Sequence, residues 1–148
     1  MDAYADNKKI SHEFETQETL EAGIELLGFE VKAVRAHKMH LAGSYIFPRR
    51  GELWLVGATI APYQPNNTPK DYEPTRERKL LLRKHEIQYL VGKFSTKGLT
   101  LLPLRVYNKN NRIKLLLAIA RKFKKHDKRE RIRERETHRK VERTLKEI

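Results

Sequence analysis

Alternation of apolar with more polar residues at period two is the feature that most limits the folds open to this chain. Seven positions carry it in the first segment: Phe14, Thr16, Glu18, Leu20, Ala22, Ile24 and Leu26. A second segment repeats it at Ile113, Leu115, Leu117 and Ile119. Because successive side chains of a strand point to opposite faces, both segments are predicted to be half-buried β-strands.

Further strands are predicted between these two. Ser44–Arg49 and Leu53–Ile60 flank a turn at Arg50-Gly51. Leu99–Tyr107 is followed by the turn-rich residues 108–111, which predicts a hairpin into the strand that contains Ile113. Since proline cannot donate a hydrogen bond to a neighbouring strand, Pro103 is predicted to lie at an edge or at a bulge.

Two segments have helical rather than strand spacing. Phe29–His37 and Lys84–Val91 each place apolar residues on one side, so each predicts a short amphipathic helix. Pro62–Pro74 holds four prolines and is predicted to be a long loop, of the kind that is usually functional or mobile. Together the segments predict a mainly β fold: a small six-stranded antiparallel barrel of the oligonucleotide-binding (OB) kind with two or three short helices.

Composition divides the chain in two. Residues 121–148 contain 13 Lys and Arg, 6 Asp and Glu, and few apolar residues, so they cannot form a core alone. They contain no Gly or Pro and have Glu–Lys pairs at i,i+4, which favours helix. We therefore predict a barrel domain at residues 1–121 and a basic tail at 122–148 that is disordered when free and helical when bound. A permanently docked C-terminal helix is the alternative.

Net charge points to a polyanionic partner. The 148 residues carry 32 Lys and Arg against 19 Asp and Glu, a formal charge of +13. Nucleic acid is the first candidate and an anionic membrane surface the second. The longest apolar run, Leu115–Ala120, has six residues, there is no Cys and no apolar N-terminal segment, so a soluble cytoplasmic protein without a membrane partner is expected.

Recognisable catalytic motifs are missing from the sequence. Gly23 and Gly28 have the spacing of a phosphate loop, but Phe29-Glu30 stands where that loop needs Lys and Ser or Thr. His37 and His40 could share a metal ion, yet no third ligand follows at a familiar spacing, and a surface or capping role is the simpler interpretation. We expect no catalytic residue, no metal and no cofactor.

A basic segment precedes the second predicted helix. Arg76, Arg78 and Lys79 lead through three leucines to Arg83-Lys84-His85, so cations and a helix N-terminus would face a phosphate together. Ordinary surface charge is the alternative for this patch. Lys109, Arg112 and Lys114 add cations at the predicted hairpin. RNA is favoured over DNA because small barrels of this kind commonly bind single strands and loops.

Five blocks of the sequence, in this order, resemble the small protein B (SmpB) family, the transfer-messenger-RNA-binding proteins of bacterial trans-translation. The blocks are Leu20–Lys38, Gly51–Tyr63, Pro74–Ile87, Lys97–Tyr107 and His126–Glu136. The resemblance covers roughly residues 7–148. It implies an OB-like barrel that binds the tRNA-like domain of transfer-messenger RNA, and a tail that enters the empty decoding site and mRNA channel of a stalled ribosome.

The resemblance also implies roles for individual residues of the barrel. Glu21, Leu81 and Lys114 match positions that contact the RNA in this family. Arg83 stands where relatives have Asn or His, which would strengthen contact with phosphate and weaken the reading of a base edge.

In the tail, the resemblance implies contacts with the ribosome. His126 matches a stacking histidine, Asp127-Lys128-Arg129 reproduces a family motif, and Val141, Thr144 and Leu145 lie in the distal region. Lys122-Phe123 replaces the family's Gly-Lys before the tail. The implied partners are transfer-messenger RNA, small-subunit ribosomal RNA at the decoding centre, and elongation factor Tu in the delivery complex.

Two other functions remain open from the sequence. An OB-fold single-strand RNA-binding or ribosomal protein without a rescue role would bind any single strand. An RNA-processing enzyme would show turnover, although the sequence offers no nucleophile, metal cluster or general-base pair for it.

Overall fold

The computed structural model describes residues 3–124. Its helices and strands are β1 (Ala3–Asp6), α1 (Ile10–Glu13), β2 (Phe14–Ile24), α2 (Gly28–Arg35), β3 (Met39–His40), β4 (Tyr45–Arg49), β5 (Glu52–Val56), β6 (Thr59–Ile60), β7 (Arg78–Leu81), α3 (Lys84–Phe94), β8 (Leu99–Lys109) and β9 (Arg112–Lys122). A 3-10 turn at Pro65–Asn67 lies in the long loop between β6 and β7.

Six of the strands close into a barrel. Their order is β8, β4, β5, β7, β2 and β9, every neighbouring pair is antiparallel, and the pairing of β9 with β8 closes the ring. This confirms the predicted six-stranded antiparallel barrel with short helices. β1, which was not predicted, pairs with β8 beside β4, and β3 and β6 form a separate two-stranded sheet.

Local turn chemistry explains the hairpins. Arg50 and Gly51 between β4 and β5, and Asn110 and Asn111 between β8 and β9, all have positive φ, as the tight two-residue turns of hairpins require. The register of β8 shifts between Pro103 and its neighbour two residues on, so the prediction of a bulge at this proline is confirmed.

Two strand predictions need correction. The predicted strand Leu53–Ile60 is broken into β5 and β6 at Gly57, whose φ of 85° is open to glycine and strained for other residues. In β2 only the second half is half-buried, with Ala22 and Ile24 inside and Thr16 and Glu18 exposed. The first half of β2 pairs with β9 alone, and contact with β7 begins only at Gly23.

Both predicted helices are confirmed, and each begins where a glutamate accepts a backbone N–H. The amide of Leu27 donates to Glu30 Oε1 at 2.9 Å before α2, and the amide of Arg83 donates to Glu86 Oε1 at 3.0 Å before α3. Each carboxylate therefore satisfies an amide at the start of its helix and favours the positive end of the helix dipole. α3 continues three residues past the predicted end at Val91, and α1 was not predicted.

The interior of the barrel is aliphatic. Its large side chains with almost no exposed surface are Leu41, Ile46, Leu53, Leu55, Ile60, Leu80, Leu90, Leu101, Leu115, Leu117 and Ile119. Removing this much apolar surface from water is the main stabilising contribution to a domain of this size. Within residues 3–124 no helix is long and apolar enough to cross a membrane.

A buried charged cluster ties the Pro62–Pro74 loop to the barrel. Glu30 and Arg78 have no exposed surface, and Arg78 Nη2 lies 2.6 Å from Glu30 Oε2. The Tyr72 hydroxyl lies 2.9 Å from Glu30 Oε2 and 2.9 Å from the carbonyl oxygen of Ile60, and Arg78 also donates to the carbonyl of Pro74 at 2.9 Å. The end of this loop is therefore fixed by hydrogen bonds to the core.

Candidate nucleic-acid interface

One row of paired residues crosses the outer surface of four strands. Tyr107 of β8 pairs with Lys114 of β9, Lys114 pairs with Gly23 of β2, and Gly23 pairs with Leu81 of β7. Paired residues of adjacent strands share a face, so these side chains lie side by side on the outside of the barrel. Glu21, two residues before Gly23, lies on the same face.

Leu81 is the apolar element of this row. It is 49% exposed, which is unusual for a leucine next to a packed core. Gly23 allows the approach of β7, because a Cβ at residue 23 would lie 3.1 Å from Leu81 Cβ. The row therefore presents an apolar side chain beside the ammonium group of Lys114.

Two residues of β8 bind the Glu21 side chain across β9. The Tyr107 hydroxyl donates a hydrogen bond to Glu21 Oε2, and Lys109 Nζ lies 3.2 Å from Glu21 Oε1. The hydrogen bond from Tyr107 lowers the pKa of Glu21 against the opposing effect of burial, and Lys109 and the charge of Lys114 lower it further. Glu21 is thus an ionised acceptor among cations.

Tyr107 is the matching donor. Burial, together with the hydrogen bond to Glu21 and its charge, raises the pKa of Tyr107 to about 12. The hydroxyl therefore keeps its proton at neutral pH and can donate it to Glu21. The surface formed by Glu21, Leu81, Tyr107, Lys109 and Lys114 is the candidate nucleic-acid interface, and we call it the RNA face.

A cavity of about 410 Å³ adjoins the RNA face, between α2 and the turn that joins β8 to β9. Its apolar lining includes Leu26, Val31 and Ile113, and Arg35 and Lys114 lie at its edge. The Arg35 guanidinium donates to the Tyr4 hydroxyl at 3.1 Å and to the Asn111 carbonyl at 3.0 Å. An apolar floor beside fixed cations suits an unstacked nucleotide, whose base is apolar on its faces and whose phosphate is anionic.

Successive side chains of β7 point to opposite faces of the barrel wall, so only some cations of the basic segment before α3 face outward. Lys79 lies two residues before Leu81, its Nζ is 3.9 Å from Glu52 Oε1, and about a third of its side chain is exposed. Arg83 is exposed at the start of α3, where its backbone amide donates to Glu86. Both residues are close in sequence to Leu81 of the RNA face and are at least partly exposed.

Arg78 requires a correction. It was predicted as a cation offered to RNA phosphate, but its side chain has no exposed surface and its guanidinium is used by Glu30 and by carbonyl groups of Ala58, Arg76 and Pro74. A side chain without exposed surface cannot contact a phosphate, so the prediction is wrong and Arg78 is a structural residue.

Arg76 lies in the same cluster but nearer the surface. Its side chain is 28% exposed, and its guanidinium forms an ion pair with Glu30 and bonds to backbone carbonyls. Because these partners hold its guanidinium within the buried cluster, we do not assign Arg76 to the RNA face.

Two residues of this surface were missed in the sequence. Tyr107 lies two positions before Lys109 on one strand, a spacing that puts both on one face, and this signal was available. Arg35 is on the polar side of α2. The spacing of residues along the helix does not show that this side lies beside the β8–β9 turn, because that depends on how α2 packs on the barrel.

The two histidines singled out by their spacing have different surroundings. The ring of His37 packs edge-on against Tyr4, with 5.7 Å between ring centroids, and His40 is exposed on β3. In the part of the chain from residue 3 to residue 124, no three His, Asp or Glu side chains are grouped closely enough to hold a metal ion.

Comparison with known proteins identifies the family of this chain. A family model described as SmpB protein matches residues 4–147. The chain belongs to the SmpB family. Two relatives are named SsrA-binding protein: one from Thermosynechococcus vestitus is 44% identical over 143 residues, covering 97% of this chain and 94% of the relative. The other, from Rubrobacter xylanophilus, is 46% identical over 147 residues and covers 99% of this chain and 97% of the relative.

A solved SmpB structure has the same fold. It is described as "tmRNA-SmpB: a journey to the center of the bacterial ribosome", and the matching chain is 43% identical with a TM-score of 0.67. The match covers 86% of this chain and 93% of the other.

The residues implied by resemblance to the SmpB family fall into two groups. Glu21, Leu81 and Lys114 lie together on the RNA face, with Arg83 close by in sequence. The tail residues lie outside the described part of the chain: His126, Asp127, Lys128, Arg129, Val141, Thr144 and Leu145. The barrel itself extends one residue past the predicted boundary at 121, since β9 ends at Lys122 and the Phe123 amide donates to the carbonyl of Glu13 at 2.9 Å.

Proposed function

We propose that this chain binds the tRNA-like domain of transfer-messenger RNA and delivers it to stalled ribosomes for trans-translation. The observation that supports this most directly is the row Tyr107, Lys114, Gly23 and Leu81 with Glu21 beside it. It gathers, from three strands, the residues Glu21, Leu81 and Lys114 that the SmpB resemblance implies for RNA contact, and adds Tyr107 from a fourth.

The chemistry of the RNA face suits a folded RNA with unpaired nucleotides. Lys109 and Lys114 attract phosphates, and the exposed side chain of Leu81 offers an apolar surface for a base or a ribose. Glu21 repels phosphate, so it favours an RNA that places a hydrogen-bond donor there. Lys79 and Arg83 extend the contact along the backbone of the RNA.

Delivery to the ribosome would depend on the tail, which we propose as a segment separate from the barrel that follows Lys124. His126, Asp127, Lys128 and Arg129 would lie at the empty decoding site, and Val141, Thr144 and Leu145 further along the mRNA channel. A cationic segment suits a channel lined with ribosomal RNA phosphate. Elongation factor Tu would accompany the complex, the work would take place in the cytoplasm, and the chain would act by binding rather than by catalysis.

Titration with RNA tests the barrel's role. The full chain should bind transfer-messenger RNA at least ~100-fold more tightly than an unrelated folded RNA, about 2.7 kcal/mol of discrimination. Lys114→Glu should weaken this binding by more than ~10-fold, whereas Lys97→Glu, the same charge change at an exposed turn, should have a much smaller effect. If single-stranded RNA of any sequence competes as well as transfer-messenger RNA, the chain is a general single-strand-binding protein instead.

A second experiment tests the tail. Replacing Asp127, Lys128 and Arg129 by alanine should leave affinity for transfer-messenger RNA within ~3-fold, because the charges removed lie outside the barrel. The same variant should fail to support tagging of a stalled nascent chain in reconstituted translation. Normal tagging by this variant would contradict the proposed role of the tail.

A further inference from the structure

The contact between Tyr107 and Glu21 spans a whole strand. Tyr107 belongs to β8 and Glu21 to β2, and β9 lies between them. Tyr107 is only 6% exposed although it is on the outside of the barrel, because it lies along the outer surface of β9. Lys109 follows the same path and reaches both oxygens of Glu21, at 3.2 and 3.4 Å.

This contact leaves Glu21 partly free to bind something else. An ionised carboxylate has about four acceptor positions on its two oxygens. Tyr107 and Lys109 occupy some of these, while about a third of the Glu21 side chain remains exposed. The remaining lone pairs can accept a hydrogen bond from a donor group of a bound RNA, but cannot bind a group that only accepts.

The surrounding charges decide which part of an RNA can approach Glu21. Tyr107 and Lys109 face it from β8 and Lys114 faces it from β9, and Arg105 lies near Tyr107. Phosphates are repelled by the carboxylate and have the two lysines as partners nearby. Groups of RNA that donate are the amino and imino groups of bases and the ribose 2′-hydroxyl.

Orienting the Glu21 carboxylate before RNA binds favours higher affinity. A free surface glutamate loses rotamer freedom when it binds a ligand, and this loss weakens binding. At Glu21 the hydroxyl of Tyr107 fixes the side chain before any RNA arrives, and it also favours the ionised form.

We infer that Tyr107 is a positioning residue for RNA recognition, which orients the Glu21 carboxylate to accept a hydrogen bond from a base amino or imino group or from a 2′-hydroxyl of the bound RNA. This inference rests on the proposed function, and it adds a residue and the chemical class of the RNA group. Tyr107 touches Glu21 and acts through it.

The chain offers a matched control. Tyr89 of α3 donates its hydroxyl to Glu18 Oε2, which makes the same tyrosine–glutamate contact on the same strand. Glu18 is three residues from Glu21, so it points to the opposite face of β2, away from the RNA face. Tyr89→Phe therefore removes an equivalent hydroxyl without touching the proposed site.

The test measures affinity of the full chain for the tRNA-like domain of transfer-messenger RNA. Tyr107→Phe should weaken binding ~10-fold and Tyr89→Phe less than ~2-fold, with thermal unfolding used to confirm that both variants are folded. In a Glu21→Ala background, which has no acceptor at this position, Tyr107→Phe should cause no further loss. Losses that simply add would mean that Tyr107 acts independently of Glu21 and would overturn the inference.

A pH series separates positioning from a purely structural effect. Without the Tyr107 hydroxyl the pKa of Glu21 rises, so Tyr107→Phe should lose affinity at a higher pH than the wild type as the solution is acidified. The same pH profile in both proteins would overturn the inference.

Substituted RNAs identify the donor. Inosine in place of a guanosine removes an amino group, and 2′-deoxy substitution removes a hydroxyl. One such change should weaken binding to the wild type but not to Glu21→Ala. If every such change weakens binding to both proteins equally, or to neither, the inference is overturned. If the wild type does not prefer the tRNA-like RNA over an unrelated RNA, the proposed function itself fails and the inference falls with it.

Discussion

Arg78 and Glu30 form an ion pair of 2.6 Å between Nη2 and Oε2, and neither side chain is exposed to solvent. Removing two charges from water is unfavourable because both groups lose their hydrogen bonds to water. Here protein groups replace that water: Tyr72 and Arg76 donate to Glu30, and Arg78 donates to backbone carbonyls. Among residues 3–124 no buried polar side-chain atom lacks a partner. The pair therefore depends on a complete set of hydrogen bonds.

Loss of one member of this pair should be strongly destabilising. Arg78→Ala leaves the buried Glu30 carboxylate with Arg76 as its remaining cation and removes the donor to the carbonyl groups of Ala58 and Pro74, so we expect the free energy of unfolding to fall by about 3 kcal/mol. Arg105→Ala is the control, because Arg105 pairs with Asp6 at 3.4 Å on the surface and such pairs contribute about 0–1 kcal/mol. Urea unfolding of both variants measures the difference, and equal losses would contradict the structural role of Arg78.

Acid should remove the contribution of Glu30. Burial alone would raise its pKa, but hydrogen bonds from Arg76, from the Leu27 amide and from Arg78 lower the pKa to about 2, from 4.5. Because the folded pKa lies below the unfolded value, the stabilisation is complete above pH ~4.5 and is lost as pH falls toward 2. At 1.36 kcal/mol per unit this contribution is about 3 kcal/mol. Urea unfolding between pH 2 and 6 would measure it, and NMR titration of Glu30 near pH 4.5 would contradict the prediction.

Gly23 should be sensitive to a single methyl group. In Gly23→Ala the new Cβ meets Leu81 Cβ at 3.1 Å, so β7 must move by a few tenths of an ångström or the methyl remains strained. We expect a loss of about 1 kcal/mol in stability and a ~3–10-fold loss in RNA affinity. Gly28→Ala, where nothing lies within 4 Å of the new Cβ, should leave RNA affinity unchanged. Equal affinities for the two variants would argue against Leu81 as an RNA contact.

The barrel should bind RNA without the tail. The truncation belongs after Lys124, because β9 runs to Lys122 and the Phe123 amide is bonded to Glu13. We expect residues 1–124 to keep affinity for transfer-messenger RNA within ~100-fold of the full chain at physiological salt, since the tail would contribute mainly screened charge. Gel-shift titration of both forms provides the measurement, and a larger loss would place part of the RNA site in the tail.

The sequence predictions that are confirmed rest on the conformational preferences of particular residues and on their spacing. The Asn110-Asn111 turn, the bulge at Pro103 and the period of β9 follow from residue types and their spacing. Arg78 was misplaced because three leucines follow Lys79, and a run of three removes the alternation that would show which residues of β7 point inward.

The candidate site could not be predicted from local sequence patterns, because it depends on which strands pair and in which register. β1 is only four residues long and needs the free edge of β8 to pair, which no local pattern reveals. Glu21, Leu81 and Lys114 were singled out by resemblance, and their proximity follows from strand register. Tyr107 reaches Glu21 across β9, a contact that follows from the register of β8, β9 and β2.

The pairing of β2 with β9 also sets a distance. Phe14 pairs with Lys122 at one end of this ladder, and Gly23 pairs with Lys114 at the other. At about 3.3 Å per residue the two ends are roughly 30 Å apart. Two long hydrogen-bonded strands resist stretching, so the barrel works as a rigid spacer between the RNA face and the point where residue 125 begins. An insertion in this ladder would change that length, even if both ends kept every one of their own contacts.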